Sequence, residues 1–274
     1  MLMAIDDGAH LLQRCGRDLL LGSAVVMLPM VVVGVVMSNV AWRQFDRVDG
    51  VIADVGYVGA EQLVWLVAYV GELFTTALVG AYVATYSIDR QLGRTVGVAS
   101  CLGRTVRRLP TLVRVFAVTH WWLAAMFLLA TNMSPVELLG VSLLAAPFLA
   151  VVSALGVFAA PVAMAEPQEG VVRRTFALGR HSFGTAFTFV LANFLITTGV
   201  LGCIALLPQL AAATGLVSFG PWAWLVQGIA TQLALLVALP LSAAGTTQLY
   251  LQVRMSREGA DLWWEADRIF GVHR

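Results

Sequence analysis

The residue with the clearest chemical potential in this sequence is a carboxylate inside an apolar stretch. Glu72 lies near the middle of residues 63–86, which contain no other charged side chain. A carboxylate inside a bilayer is costly, so we expect it to face the bundle interior, a water-filled cavity or a partner subunit. The functional interpretation is a proton or substrate site of a transporter. The alternative, which we favour for one acid without a charged partner, is a structural or subunit-contact role. The polar residues in other apolar stretches that are candidates to meet it are Asn193, Thr197, Gln227 and Gln232.

Arginine side chains form the second chemically active set. Three of them precede the apolar stretch that begins at residue 115, and three precede the one that begins at residue 185. Both groups are interspersed with apolar residues, as in segments that lie at a membrane surface. Each basic side chain near an anionic surface contributes about 1 kcal/mol to binding. The alternative is that these arginines only set the topology. As contacts for anionic lipids or for a partner protein we name Arg104, Arg107, Arg108, Arg173, Arg174 and Arg180.

No pattern in the sequence is specific for a reaction. The patterns GxxxxGK[ST], GxSxG and HExxH are missing, as is a pair of closely spaced catalytic carboxylates. The three cysteines lack metal-ligand spacing, and the four histidines are far apart in the sequence, at positions 10, 120, 181 and 273. We expect His120 to be a solvated side chain at the membrane interface. We expect no enzyme, no catalytic residue, no cofactor and no metal.

The composition places these residues in a membrane protein. Apolar residues make up 59% of the chain, and the mean hydropathy is +0.83, far above the values usual for soluble domains. Stretches of about 20 apolar residues are long enough to cross a bilayer as helices. We therefore predict an all-α polytopic integral membrane protein with basic amphipathic cytoplasmic segments. The predicted spans are residues 19–42, 63–86, 115–131, 138–164, 185–207 and 222–251.

Two finer features of this organisation follow. The spans belong to one membrane domain, residues 1–253, which is followed by an amphipathic tail, residues 254–274. Between the second and third spans, Val98, Leu102 and Val106 recur at four-residue spacing, which predicts a helix lying in the membrane interface.

The arginine distribution predicts the orientation of the chain. All 17 basic residues are arginine, and only Arg43 and Arg47 fall in segments that we assign to the outer side. Cytoplasmic loops carry an excess of arginine and lysine. We therefore expect a multi-pass protein of the cytoplasmic membrane with both termini in the cytoplasm. Arginines precede the first, third and fifth spans, which indicates either a three-unit repeat or the ordinary charge bias of inside loops.

Two stretches resemble a known family. The first is PVAMAEPQEG, followed by Arg173 and Arg174 and then by ALGRHSFG; the second is TTQLYLQVRMSREGADLW. In motif and hydropathy the chain resembles six-span bacterial membrane proteins related to the membrane domain of some glycerophosphodiester phosphodiesterases, with the YciC-type proteins as cousins. The resemblance implies the fold and the membrane location but no catalytic residues and no phosphodiester hydrolysis. Its C-terminal motif positions include Tyr250, Arg254, Arg257, Glu258, Gly259 and Asp261.

These observations lead to three hypotheses. The first is a non-enzymatic accessory or scaffold subunit of a cell-envelope membrane complex, which contacts membrane lipids, among them anionic ones, and a protein partner, but no nucleic acid. It rests on the missing catalytic motifs and the short outer loops. The second is a small permease or lipid transporter that uses Glu72, with arginines receiving anionic headgroups. The third, an enzyme acting on lipids, would need acid–base residues at one depth, and the sequence supplies few.

Overall fold

The computed structural model describes residues 2–46, 60–130 and 135–259. All regular elements in these ranges are helical, which confirms the all-α prediction. A short 3-10 turn (Gly220–Trp222) precedes the last helix. The helices are α1 (Leu2–Asp46), α2 (Ala60–Gln91), α3 (Val98–Arg107), α4 (Leu109–Ala130), α5 (Pro135–Gly156), α6 (Ala159–Ala165), α7 (Val171–His181), α8 (Phe183–Ala205), α9 (Leu207–Ala213) and α10 (Ala223–Glu258).

Six helical stretches in the described residues are long and apolar enough to cross a membrane. Their backbones satisfy their own hydrogen bonds, as a lipid environment requires. The chain is therefore a polytopic membrane protein. These stretches are Met3–Met37, Leu66–Gln91, Leu109–Met126, Leu144–Ala165, Phe183–Ala205 and Gly220–Ser256.

Helix α1 has a break near its beginning. The non-helical dihedral angles fall at Cys15 (φ −122°, ψ 19°). Pro29 lies further along the same helix. Before the break, α1 packs against the C-terminal half of α10, and Gln252 donates a hydrogen bond of 3.3 Å to the Asp7 carboxylate.

The second half of α2 forms the centre of the bundle. Its residues from Val79 to Tyr86 are almost all buried, because α1, α3, α4, α6 and α10 all pack around it. The Tyr82 hydroxyl donates to the backbone carbonyl of Asp18 at 2.7 Å, and the Tyr86 hydroxyl donates to the Asp18 carboxylate at 3.0 Å. Gly22 leaves the space that the Tyr82 ring occupies. These contacts join α1 to α2 just beyond the break.

The two basic segments singled out by the sequence are short amphipathic helices. Helix α3 buries Cys101 and Thr105, and α7 buries Val171, Thr175 and Leu178. Their arginines project from the remaining faces or from the helix ends. Each helix therefore packs one side against the bundle and leaves a charged side available.

Some predicted features fall outside the described residues. They include Arg47 in the first loop and the tail from residue 260 onward, with Asp261. Arg43 lies in α1 and Arg257 in α10, so their backbone positions are set by those helices.

We predict that a methyl group added at Gly8 destabilises the bundle. A Cβ atom there would lie 2.7 Å from the backbone nitrogen of Gly245 and 2.9 Å from its Cα, so α1 and α10 would have to separate. Overpacking of this kind costs about 1–3 kcal/mol. Gly8→Ala should therefore lower the thermal unfolding midpoint of the purified protein. The control is Gly199→Ala in α8, where a Cβ meets nothing within 4 Å, and an unchanged midpoint in both variants would contradict the close contact.

Candidate functional site

The two stretches that carry the family resemblance meet in a cluster of charged side chains. Glu166 and Arg174 come from the first stretch, and Tyr250, Arg254 and Glu258 come from α10. We call these five residues the ion-pair cluster. Glu166 and Arg254, which are in contact, lie 88 positions apart in the sequence, so the fold alone brings the cluster together.

The geometry of the ion-pair cluster centres on Arg254. Its Nη1 lies 2.9 Å from Glu166 Oε1, and its Nε donates to Glu258 Oε2 at 3.0 Å. The Tyr250 hydroxyl donates to Glu166 at 3.0 Å and accepts from Arg254 Nη1 at 3.1 Å. Arg174 donates to Glu258, and its Nε lies 3.7 Å from Glu166. Two carboxylates and two guanidinium groups thus balance in charge.

Local structure explains why these side chains converge. Glu166 directly follows α6 in an extended conformation (φ −100°, ψ 161°). Gly170 directly precedes α7 in the left-handed region (φ 77°), which glycine adopts without strain. The resulting turn directs Glu166 and Arg174 toward α10. On α10, Tyr250, Arg254 and Glu258 are spaced by four residues, so they share one face of the helix.

Arg108 extends the cluster to the junction of α3 and α4. Its Nη1 donates to the backbone carbonyls of Ala163 at 3.3 Å and Glu166 at 2.7 Å. These carbonyls lie at the C-terminal end of α6, where backbone acceptors lack helical partners. Arg108 therefore completes the hydrogen bonding of that helix end.

A second charged group joins α3 to α2. The Asp89 side chain is only 6% exposed; it accepts from Arg104 and from Arg94 at 3.3 Å. The hydrogen bond to Asp89 raises the pKa of Arg104 above its usual value, so this guanidinium remains charged. Burial raises the pKa of the neighbouring Cys101 thiol, which stays protonated at neutral pH. The group is thus a structural ion pair beside an unreactive thiol.

The six arginines named as lipid or partner contacts divide into two sets. Arg104, Arg108 and Arg174 make the internal contacts described above. Arg107, Arg173 and Arg180 are exposed and form no ion pair with any residue that the structure describes. Binding to lipid or to a partner stays a prediction, and these three are its available side chains.

The polar residues predicted to lie within the membrane fall in different parts of the bundle. Glu72 and Gln232 line the same cavity of about 330 Å³, between α1, α2 and α10. Asn193 lies elsewhere, and its Nδ2 donates to Ser242 Oγ at 2.7 Å. Gln227 donates to the backbone carbonyl of Ala205 at 2.9 Å. Of the four polar candidates, only Gln232 shares a cavity with Glu72 in the described residues.

A second cavity, of about 310 Å³, lies on the other side of the α2–α10 pair. His120 lines it, with its ring stacked on Phe116 at a centroid distance of 4.8 Å. Its Nδ1 lies 2.7 Å from Thr119 Oγ1. His120 is thus partly enclosed within the bundle, in a place that sequence reasoning did not expect. Leu239 lines both cavities.

Sequence reasoning missed several contributors, and some left a signal. Asp89 is the only acid among six arginines in residues 87–114, which marks it as their partner. Glu166 belongs to the first stretch but was not singled out within it. Gly259 of the C-terminal motif ends α10 in the left-handed region (φ 58°), which accounts for glycine at that position.

Comparisons with known proteins found no match among family models, curated proteins or solved structures. The family resemblance drawn from the two motif stretches therefore stays a prediction. The function must be argued from the geometry.

We predict that Arg254→Gln destabilises the protein by about 1–3 kcal/mol. Removing one partner of a fully buried pair costs more, but here the side chains of Arg254, Glu166 and Glu258 remain 15–26% exposed, which reduces the effect. The measurement is the free energy of unfolding in detergent. A double-mutant cycle with Glu166→Gln should give a coupling energy above about 0.5 kcal/mol.

Arg173→Gln is the matched control for Arg254→Gln. Arg173 adjoins the cluster in sequence but is exposed and unpaired in the described residues, so its loss should change stability by less than about 0.5 kcal/mol. Equal effects of the two substitutions would show that the pairing does not stabilise the fold.

Proposed function

We propose that this chain is a non-enzymatic integral membrane protein that serves as an accessory or scaffold subunit of a cell-envelope membrane complex. One observation carries the proposal: the arginines of the two basic segments divide into side chains with internal partners, such as Arg104, Arg108 and Arg174, and exposed side chains that form no ion pair with the described residues, such as Arg107, Arg173 and Arg180. The unpaired ones are suited to binding.

The ion-pair cluster gives this end of the bundle a fixed shape. It joins α6, α7 and α10, and Arg108 joins the α3–α4 junction to the same place. Arg107 is next to Arg108 in the sequence, and Arg173 is next to Arg174. Arg180 lies two helical turns further along α7. A rigid binding surface loses less conformational entropy when it associates.

The chemistry of this surface indicates what it binds. Three exposed guanidinium groups complement an acidic protein surface, and they also attract anionic headgroups of the adjacent membrane. We propose an acidic protein partner in or at the membrane, with anionic lipids as additional contacts. Nucleic acid is not part of the proposal.

Loss of the three arginines should release the partner. The variant carries Arg107→Gln, Arg173→Gln and Arg180→Gln, and the tagged protein is isolated from its native membrane in nanodiscs for mass spectrometry. We expect a stoichiometric protein partner with the wild type and at least fivefold less of it with the triple variant. The matched control replaces three exposed arginines at other positions, by Arg14→Gln, Arg17→Gln and Arg90→Gln, and should retain the partner.

Two outcomes would count against the scaffold proposal. One is equal loss of the partner in both triple variants, which would indicate a non-specific charge effect. The other is a protein that purifies alone and moves a solute into proteoliposomes. That result would favour the second candidate function.

The second candidate is a small permease or lipid transporter. It is favoured by one observation: Glu72 shares its cavity with Gln232, and a second cavity lies across the α2–α10 pair. Small-molecule sites commonly lie between the helices of bundles. The cavities are staggered along α2 and α10, and Leu239 stands between them.

For orientation, we propose the cytoplasmic membrane with both termini in the cytoplasm, which the segregation of arginines supports. Ala99→Cys in α3 and Ser218→Cys between α9 and α10 test it, in a background with Cys15, Cys101 and Cys203 replaced by serine. We expect a membrane-impermeant maleimide to label Ser218→Cys in intact cells and Ala99→Cys only after permeabilisation. The opposite pattern would reverse the proposed orientation.

A further inference from the structure

We propose that the cavity at Glu72 binds a lipophilic organic cation, a molecule with one positive charge on an apolar body. The inference names a ligand class for the site of the second candidate function, but it concerns binding only. The cavity holds about 330 Å³, which falls at the lower end of the range for small-molecule sites, about 300–1,000 Å³. It lies toward the end of the bundle remote from the ion-pair cluster.

The positive charge of the ligand is inferred from the position of Glu72 and from its lack of an ion-pair partner among the described residues. Its side chain is exposed and lines the cavity, yet it forms no ion pair with any residue in the described ranges. Three carboxylates at the other end, Asp89, Glu166 and Glu258, have arginine partners, and Asp18 accepts a hydrogen bond from the Tyr86 hydroxyl. A carboxylate in a spanning helix attracts a cation that can enter from outside, because a charge there is unfavourable unless it is paired.

The other polar groups of the cavity also favour a cation. The Thr75 hydroxyl donates to the Gly71 carbonyl at 2.8 Å, and the Thr231 hydroxyl donates to the Gln227 carbonyl at 2.9 Å. Because each hydroxyl has one proton, both leave only acceptor lone pairs for a ligand. The amide of Gln232 packs against α1 at Gly34, a position where a Cβ atom would collide with it.

The apolar lining suits the body of such a ligand. Met27, Met30 and Met37 line one side of the cavity, and Tyr69 lies beside Glu72 in its lining. Methionine side chains are flexible and polarisable, so they adapt to ligands of different shape. An aromatic ring close to the carboxylate adds attraction for a cation.

Two sources could supply this chemistry. One is a free amphiphilic cation, and the other is the ammonium group of a lipid such as phosphatidylethanolamine. Both present a cationic group on an amphiphilic molecule. Phosphatidylethanolamine has a primary ammonium group where phosphatidylcholine has a trimethylammonium group, so changing the lipid composition of the test membrane distinguishes the two sources.

The experiment uses the full chain in phosphatidylcholine nanodiscs and tritiated tetraphenylphosphonium as the probe. We expect saturable binding above that of empty nanodiscs. Glu72→Gln should weaken it at least tenfold, because the substitution removes the charge and keeps the shape. Glu72→Asp should stay within about threefold of the wild type, and neutral triphenylphosphine should not displace the probe.

The controls separate charge from folding. Glu169→Gln removes an exposed carboxylate outside the cavity and should leave binding unchanged, and the thermal midpoint of each variant reports its folding. Binding by Glu72→Gln equal to that of the wild type, or no saturable binding at all, would overturn the inference. Equal loss in Glu72→Asp with an intact midpoint would also overturn it, since the charge would then not be what matters.

The lipid arm identifies the source. Phosphatidylethanolamine in the nanodiscs should weaken probe binding to the wild type if the headgroup occupies the cavity, and should leave it unchanged if the ligand is a free cation. Uptake into proteoliposomes is measured separately. Probe binding without solute uptake would support the cation site and contradict the transporter function. Solute uptake that tetraphenylphosphonium does not affect would contradict the cation site and support the transporter function.

Discussion

The bridge from Arg254 to Glu166 is the interaction on which the charged end of this molecule depends. It joins the last helix to the turn between α6 and α7, and Arg108 binds the backbone of the same turn. Without it, two carboxylates and Arg174 would remain close together with unequal charge. Because helices in a bilayer gain little from apolar contact with one another, specific polar contacts at their ends have a larger share in fixing their arrangement than they would in a soluble bundle.

Inside the bundle, close contacts between helix backbones fix the arrangement of the helices. Gly8 allows α1 to touch the backbone of α10 at Gly245, and Gly22 accommodates the ring of Tyr82. Tyr82 then reaches the backbone carbonyl of Asp18 beyond the break in α1. Small residues and a few hydrogen bonds thus hold α1, α2 and α10 together. The cavity at Glu72 is lined by the same three helices.

Much of the fold could be predicted from the sequence, because a charge-free apolar stretch of sufficient length has one stable solution in a bilayer. The roles of individual charged residues could not. Arg107 and Arg108 are adjacent and identical in type, yet one is exposed and the other binds α6, since the direction of each side chain depends on how α3 and α4 pack. The motif stretches include Arg174 and Arg254. That both arginines pair with Glu166 and Glu258 depends on the tertiary structure, which the sequence pattern does not reveal.

The same limit applies to Glu72, whose depth follows from the sequence and whose neighbours do not. From the sequence, Asn193 and Gln232 were equally good candidates to lie near Glu72. In the fold, Gln232 lines the cavity of Glu72, whereas Asn193 donates to Ser242. The arginines in ion pairs lie at the opposite end of the bundle, held by Asp89, Glu166 and Glu258. Such a separation leaves a negative group in an apolar cavity at one end and a neutralised cluster bordered by free arginines at the other. We therefore propose different ligands for the two ends, a cation within the membrane and anions at its surface.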